Sequence, residues 1–248
     1  MRPNKKSANR FQPRGGLTLL HEDRDVLVVN KPAGLLTIGT ERDKTRTAHS
    51  FLNDYVRKGD PRSRQRVFIV HRLDRDTSGV LVFARSEAAK LFLQQNWEEA
   101  QKRYLAVVHG TLCAKEGAII SFLLENSAHN VYSTTEAGLG KLSRTDYRVL
   151  REVRGLSLLE IELLSGRKHQ IRVHCAEQGH PVLGDRKYGR EDGAKHLFLH
   201  ARVLAFVHPF SRQRLEFTAP PPEYFSRLVG PIQGAGGPSR LSHAADGR

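Results

Sequence analysis

The chain has 248 residues and 39% hydrophobic content, enough to fill a real core, so it is globular. Forty Lys and Arg against 26 Asp and Glu leave a formal charge of +14, which calls for a polyanion (RNA, DNA or an anionic membrane) held less tightly as salt rises. The only cysteines, Cys113 and Cys175, stand far apart, which excludes a disulfide framework and a thiolate zinc site and fits a reducing compartment.

No run approaches the roughly 20 apolar residues needed to span a bilayer, and the N-terminus lacks the apolar core of a secretory signal, so a cytoplasmic protein without a membrane partner is expected. Residues 1–16 carry Arg2, Lys5, Lys6, Arg10 and Arg14 without an acid. Pro3, Pro13 and Gly15-Gly16 make them a basic flexible tail, ahead of the alternatives of a transit peptide or an RNA-touching arm. Val26 to Val29 reads as a short buried strand running into the turn Asn30-Lys31-Pro32-Ala33-Gly34. Val67–Val70 and Val80–Phe83 read as two further core strands, with the polar segment His71–Gly79 as a loop between them. Ser86 suits the N-cap of a helix in which Ala89, Phe92 or Leu93, and Trp97 recur at helical spacing, and Tyr104–Val108 returns to strand character.

Strands are expected at Arg144–Leu150 and Gly155–Leu164, the latter with Leu159, Ile161 and Leu163 inward and Glu160 and Glu162 outward. Residues 168–178 read as a short helix closed by Gly179, with His169 and Arg172 on one face. His196–Val207 is another strand region, Pro220-Pro221-Pro222 marks the edge of the fold, and residues 230–248 form a flexible tail. With no repeat and no central linker, residues 17–229 form one mixed domain.

The segment His71-Arg72-Leu73-Asp74-Arg75-Asp76-Thr77-Ser78-Gly79 carries the most chemistry, because ionisable residues interrupt two apolar strands, and loops held by core strands display reactive groups. Arginines flank Asp74 in sequence, and an opposite charge keeps a partly buried carboxylate ionised as nucleophile or base. On the residues alone, a solvated polar turn ending at Gly79 fits as well. Asp76-Thr77-Ser78-Gly79 resembles half of an aspartic-protease dyad, but no second turn exists, and no acids follow at calcium-loop positions. His169, His174, His196 and His200 invite a metal reading. No His-Glu-x-x-His is present and the first pair is five apart, so no metal is expected.

His71–Gly79 is similar at every fixed position to the signature of RluA-type pseudouridine synthases, His-Arg-Leu-Asp-x-x-Thr-Ser-Gly. The resemblance extends to Asn30-Lys31-Pro32-Ala33-Gly34, Lys102-Arg103-Tyr104-Leu105-Ala106 and the run Gly166 to His174. It continues through Gly179-His180-Pro181, Gly184-Asp185, Tyr188-Gly189, Leu199-His200-Ala201 and His208-Pro209, so it covers residues 17–228. It implies an α+β fold with a mixed, largely antiparallel central sheet and flanking helices. It also implies isomerisation of uridines in structured tRNA or rRNA to pseudouridine without a cofactor, and a monomer is expected.

Under that resemblance Asp74 is the catalytic carboxylate, attacking C1′ of the ribose or removing its 2′ proton. Tyr104 stacks on the uracil and is a candidate to deprotonate C5, although a phenol with a pKa near 10 is a poor base. Arg172 pairs with the carboxylate. Arg72 fills the space left by the flipped nucleotide, whose extrusion costs a few kcal/mol. Arg167, Lys168 and His169 are expected to bind RNA, with Gly166 and Arg167 placed so that free N–H groups at a helix start could meet a phosphate. Lys168 departs from the usual Thr or Ser. Many relatives carry an additional RNA-binding domain ahead of the catalytic one, so the grip on RNA is expected to come from the basic surface of residues 17–229. The competing readings are an RNA chaperone on the same fold and a base-releasing glycosidase.

Overall fold

The computed structural model describes residues 13–232 except 40–42, 44, 135 and 137; both expected tails lie almost wholly outside this range. The chain opens with β1 (Thr18–Glu22) and β2 (Val26–Lys31), joined by a turn in which Asp23 Oδ1 accepts the N–H groups of Asp25 and Val26, both at 2.8 Å. α1 (Ala48–Arg57) follows, capped by Thr47, whose hydroxyl accepts the Ser50 N–H. β3 is only Phe68–Ile69, shorter than the apolar run Val67–Val70, and the polar loop containing Asp74 leads from it into β4 (Ser78–Ala84). α2 (Glu87–Gln95) is capped by Ser86, as its spacing predicts, with Trp97 just beyond its end.

β5 (Gln101–His109) is followed by a hairpin, β6 (Glu116–Glu125) and β7 (Val131–Thr134), and by the long strands β8 (Lys141–Val153) and β9 (Leu156–Leu163). α3 spans Gln170–Glu177, two residues shorter at its start than expected because His169 takes a left-handed conformation at φ 55°. β10 (Leu199–Val207), β11 (Arg214–Thr218) and α4 (Glu223–Val229) complete the fold. The three prolines at 220–222 are therefore not its edge. They start α4, whose Phe225 and Val229 are buried in the core.

All eleven strands join one sheet in the order β1-β2-β4-β10-β5-β9-β8-β6-β7, with β11 pairing β10 and β3 pairing β4. Only β4 and β10 run parallel; the architecture is the expected α+β, largely antiparallel sheet with flanking helices. Helices cover both faces. Val26, Val28, Val80 and Val82 pack with Ala89 and Leu93 of α2, whereas Leu27, Val29, Leu81 and Phe83 pack with Ala48, Leu52 and Val56 of α1. Strands buried on both sides read as continuous apolar runs, which is why 26–29 and 80–83 show no alternation. α3 and α4 repeat this arrangement across β5 and β9.

The double covering also corrects one expectation. Glu160 is 4% exposed, not outward in solvent, and accepts a hydrogen bond from Arg148 on β8 at 2.7 Å. Among the described residues no helix is long and apolar enough to cross a membrane.

Candidate active site

A cavity of about 450 Å³ opens over the centre of the sheet, within the range typical of small-ligand sites. Its floor and walls include Asp74, Tyr104, Leu163, His169, Arg172 and Leu199. Asp74 enters from the loop between β3 and β4, and two clamps hold that loop. Thr37 Oγ1 donates to Leu73 O at 2.8 Å, and the Leu73 N–H returns to the same hydroxyl. Lys31, fully buried, donates through Nζ to Pro32 O, Leu35 O and Arg75 O at 2.8–3.1 Å. Burial draws the Lys31 amine down to about 7, against the pull of Asp76 and Asp74, but three carbonyl acceptors match the three protons of an ammonium. The motif 30–34 is thus the seat on which the Asp74 loop rests.

The loop ends where β4 meets β10. Gly79 adopts φ 120°, and a Cβ there would lie 2.1 Å from Ala201 O, so only glycine allows the two strands to approach. Ser78 Oγ and His200 Nδ1, 2.9 Å apart, secure the same seam. Burial drives the His200 imidazole down to about 4, and His71, whose Nε2 accepts the Val82 N–H, down to about 3. Both stay neutral, His200 in the core and His71 half-buried on the cavity wall.

The charge partner of Asp74 is neither arginine beside it in sequence. Arg75 Nε donates to Gly34 O, and Arg72 is exposed at the cavity rim. The partner is Arg172 on α3, whose NH1 donates to Asp74 Oδ2 at 3.2 Å. Asp185, its side chain wholly buried, grips the other side of the same guanidinium in a two-pronged pair, Nε to Oδ2 at 2.7 Å and NH2 to Oδ1 at 2.8 Å. These two carboxylates raise the guanidinium against the desolvation that opposes its charge, and Arg172 in turn holds Asp185 below the usual carboxylate range despite burial. Asp185 is the main residue of the site that the sequence reading left without a role.

Tyr104 lines the cavity from β5. Burial, and secondarily the Asp74 charge, push its phenol well above its ordinary value, so it stays neutral and is a still weaker base than the unperturbed side chain. Arg167 is exposed on the rim, but its N–H donates to Gln170 Oε1 at 3.1 Å and is not free for a phosphate. The buried Gln170 side chain also donates to Arg144 O and Thr145 Oγ1, bolting the start of α3 to β8. Lys168 Nζ binds Glu125 in the β6–β7 hairpin. His169 sits inside, Nε2 3.7 Å from Asp74 Oδ2 and Nδ1 2.7 Å from the Tyr188 hydroxyl.

The four histidines considered as metal ligands go to separate places. His174 lies between Thr145 and Ser121 hydroxyls, His200 between Ser78 and Ala219 O, and His196 stacks on Tyr224. Among the described residues, Asp23, Asp25 and His208 do gather possible ligand atoms within 4.8 Å. His208 Nδ1, however, accepts the Phe210 and Ser211 N–H groups, which puts the imidazole proton on Nε2, facing Asp23 Oδ2 at 3.2 Å. A protonated Nε2 is unsuited to ligating a cation, although its geometry to Asp23 is too poor for a hydrogen bond.

Residues 25–177 match the family model described as RNA pseudouridylate synthase. An uncharacterized RNA pseudouridine synthase of Mycoplasma genitalium is 35% identical over 222 residues, covering 86% of this chain and 69% of that protein. Ribosomal large subunit pseudouridine synthase D of Xylella fastidiosa is 34% identical over 236 residues, covering 88% of this chain and 70% of the relative. The solved structure of human RNA pseudouridylate synthase domain containing 1 superposes with a TM-score of 0.68 at 29% identity, covering 85% of this chain and 86% of that one. With its signature loop set over a shared fold, the chain belongs to the RluA-type family of RNA pseudouridine synthases, isomerases that act on RNA.

Proposed function

We propose that Asp74 is the catalytic carboxylate with which the chain isomerises particular uridines in a folded ribosomal or transfer RNA. The observation that carries this is the arrangement of Asp74 in the central cavity, 3.2 Å from an Arg172 that Asp185 holds rigid from behind. A nucleotide flipped into the cavity brings its sugar to Asp74 and its uracil towards Tyr104. The carboxylate acts by adding to C1′ or by taking the 2′ proton; either route requires an ionised oxygen and detaches uracil as an anion. The base turns and C5 bonds to C1′, displacing the carboxylate in the first route or adding to the sugar double bond as the carboxyl returns its proton to C2′ in the second; the C5 proton then leaves and N1 gains one, so mass is conserved.

Arg72, exposed at the rim, is positioned to fill the stack that the nucleotide vacates. Arg167 extends the cationic rim, whereas the charge of Lys168 is taken up by Glu125. A second basic run lies just ahead of the site in the chain: Arg57, Lys58, Arg62, Arg64 and Arg66 precede β3, whose Ile69 lines the cavity, with Asp60 the one acid among residues 57–66. Such a track suits the phosphates flanking a target loop.

The test is Asp74→Asn, assayed by tritium release from RNA transcripts labelled with 5-tritiated uridine and by filter binding. We expect no release above background, with RNA affinity within about threefold of the parent because the carboxylate contributes no favourable phosphate contact. Normal release would remove Asp74 from the mechanism. An unlabelled abasic product from the parent enzyme would indicate base removal, and binding without release would indicate a chaperone.

A further inference from the structure

Two basic side chains reach the same oxygen of Asp74, and only one of them, Arg172, has a role in the reading above. The other is His169. Its left-handed backbone, φ 55°, lies immediately before α3 and turns the imidazole into the cavity instead of along the helix. Nε2 then stands 3.7 Å from Asp74 Oδ2.

The state of that ring follows from its second nitrogen. Tyr188 Oη lies 2.7 Å from His169 Nδ1 and accepts the Val131 N–H of β7 at 3.1 Å. With the phenol oxygen engaged as an acceptor by Val131, its own proton is directed to Nδ1. A neutral imidazole that accepts at Nδ1 carries its proton on Nε2. Burial is the largest influence on the ring and favours neutrality; Arg172 from α3, Lys187 from the turn that carries Tyr188, and Lys168 from the preceding residue also oppose protonation, while Asp74 alone favours it. The balance lowers the His169 pKa. Tyr188 is itself fixed, with the Arg172 guanidinium 5.2 Å and the Lys187 amine 5.5 Å from its ring centre.

We infer that Tyr188 and His169 are a positioning pair for the catalytic carboxylate, in which the Tyr188 hydroxyl sets His169 as the Nε2–H tautomer and that N–H, 3.7 Å from Asp74 Oδ2 in the free enzyme and so longer than a hydrogen bond, closes on it when a nucleotide fills the cavity and turns Oδ1 to the sugar. The pair rests on the assignment of Asp74 above. It gives His169 a role other than contact with RNA, and it lines up polar groups from the β6–β7 hairpin, through Val131 N–H and Tyr188, to within 3.7 Å of the reacting group. No proton is transferred along it; the contribution is orientation of one oxygen by a neutral donor.

Four variants separate this role from a merely structural one, read by single-turnover tritium release from a pool of unmodified ribosomal and transfer RNA transcripts labelled with 5-tritiated uridine. His169→Gln places an amide N–H where Nε2–H stood and should keep the rate within about threefold of the parent. His169→Asn places its amide at the Nδ1 position and should slow the reaction about 10- to 100-fold, as should His169→Ala, with RNA affinity unchanged in all three. Tyr188→Phe should slow it about tenfold by freeing the tautomer.

A readout without RNA is the nitrogen NMR spectrum of the free enzyme: Nδ1 of His169 should be the unprotonated nitrogen in the parent, and Tyr188→Phe should shift the ring towards a mixture. A protonated Nδ1 in the parent, or His169→Gln as slow as His169→Ala, overturns the pair. Asp74→Asn measured alongside distinguishes the failures, since an active Asp74→Asn sinks the carboxylate itself, whereas an inactive one beside a fully active His169→Ala sinks only the pair.

Discussion

Asp185→Asn changes one atom type in a side chain that has no exposed surface, and its cost can be worked from four hydrogen bonds. Oδ2 accepts Arg172 Nε, while Oδ1 accepts Arg172 NH2 and the N–H groups of Lys187 and Tyr188, at 2.7–3.1 Å. Asparagine has one acceptor and one donor in the same outline. Either orientation of its amide sets an N–H against an N–H: against Arg172 Nε in one, against NH2 and two backbone groups in the other. The guanidinium also loses the anion that compensates its burial, leaving it only Asp74. Removing one member of a buried ion pair costs about 3–5 kcal/mol. The lower end is expected here because Asp74 remains, which corresponds to a fall in Tm of about 6–12 °C for a chain of this size.

Urea denaturation followed by tryptophan fluorescence measures the loss, and single-turnover tritium release should fall at least about tenfold as Arg172 ceases to hold Asp74 in place. A stability loss below about 1 kcal/mol, the value of an exposed ion pair, would refute the claim that Asp185 anchors the site.

Acid should destabilise the fold through His71 and His200, which remain neutral in the native state down to about 3 and about 4. Their folded values lie below the unfolded value near 6.5, so the unfolded chain binds more protons as pH falls below it; each then removes about 1.4 kcal/mol per pH unit, and the two together about 3 kcal/mol for every unit down to pH 4. Urea midpoints at pH 7, 6, 5 and 4.5 test this, and a flat profile would contradict it. Gly79→Ala should abolish soluble protein or cost more than about 4 kcal/mol, because the new methyl strikes Ala201 O. Gly34→Ala, also at positive φ but with open space around it, should cost only about 1 kcal/mol; equal losses would exclude the steric explanation. Replacing Arg62, Arg64 and Arg66 by alanine should flatten the salt dependence of RNA binding by about 2–3 units of slope and leave the rate at saturating RNA unchanged, whereas an unaltered slope would take the basic track out of the RNA contact.

The buried strands and the helix after Ser86 were legible because apolar continuity and a capping serine are local signals. α1 left a trace, Ala48, Leu52 and Val56 four apart behind Thr47, that was open to the same reading. α4 was hidden by the three prolines, which stop a chain as readily as they start a helix. At the site, the motifs identify Asp74, Tyr104 and Arg172, and the cavity brings all three together. Two things required coordinates. One is that buried Asp185 grips Arg172 from behind, whereas the pairing of Arg172 with Asp74, ninety-eight positions apart, was already implied by the resemblance. The other is the left-handed turn at His169, which a β- or α-period cannot signal and which moves the histidine from a helix face into the cavity.

The position of β10 has a consequence for synthesis on the ribosome. This late strand lies between β4 and β5, and its Leu199 forms part of the cavity wall. A nascent chain that has emerged only through residue 190 would hold the Asp74 loop at the start of β4 and Tyr104 on β5 with nothing between the two strands, an unzipped sheet with two raw inner margins. Assembly of the cleft therefore waits for the last fifth of the chain. A split at the turn before Leu199, with the missing peptide supplied separately, should restore turnover by insertion of a strand into the middle of the sheet.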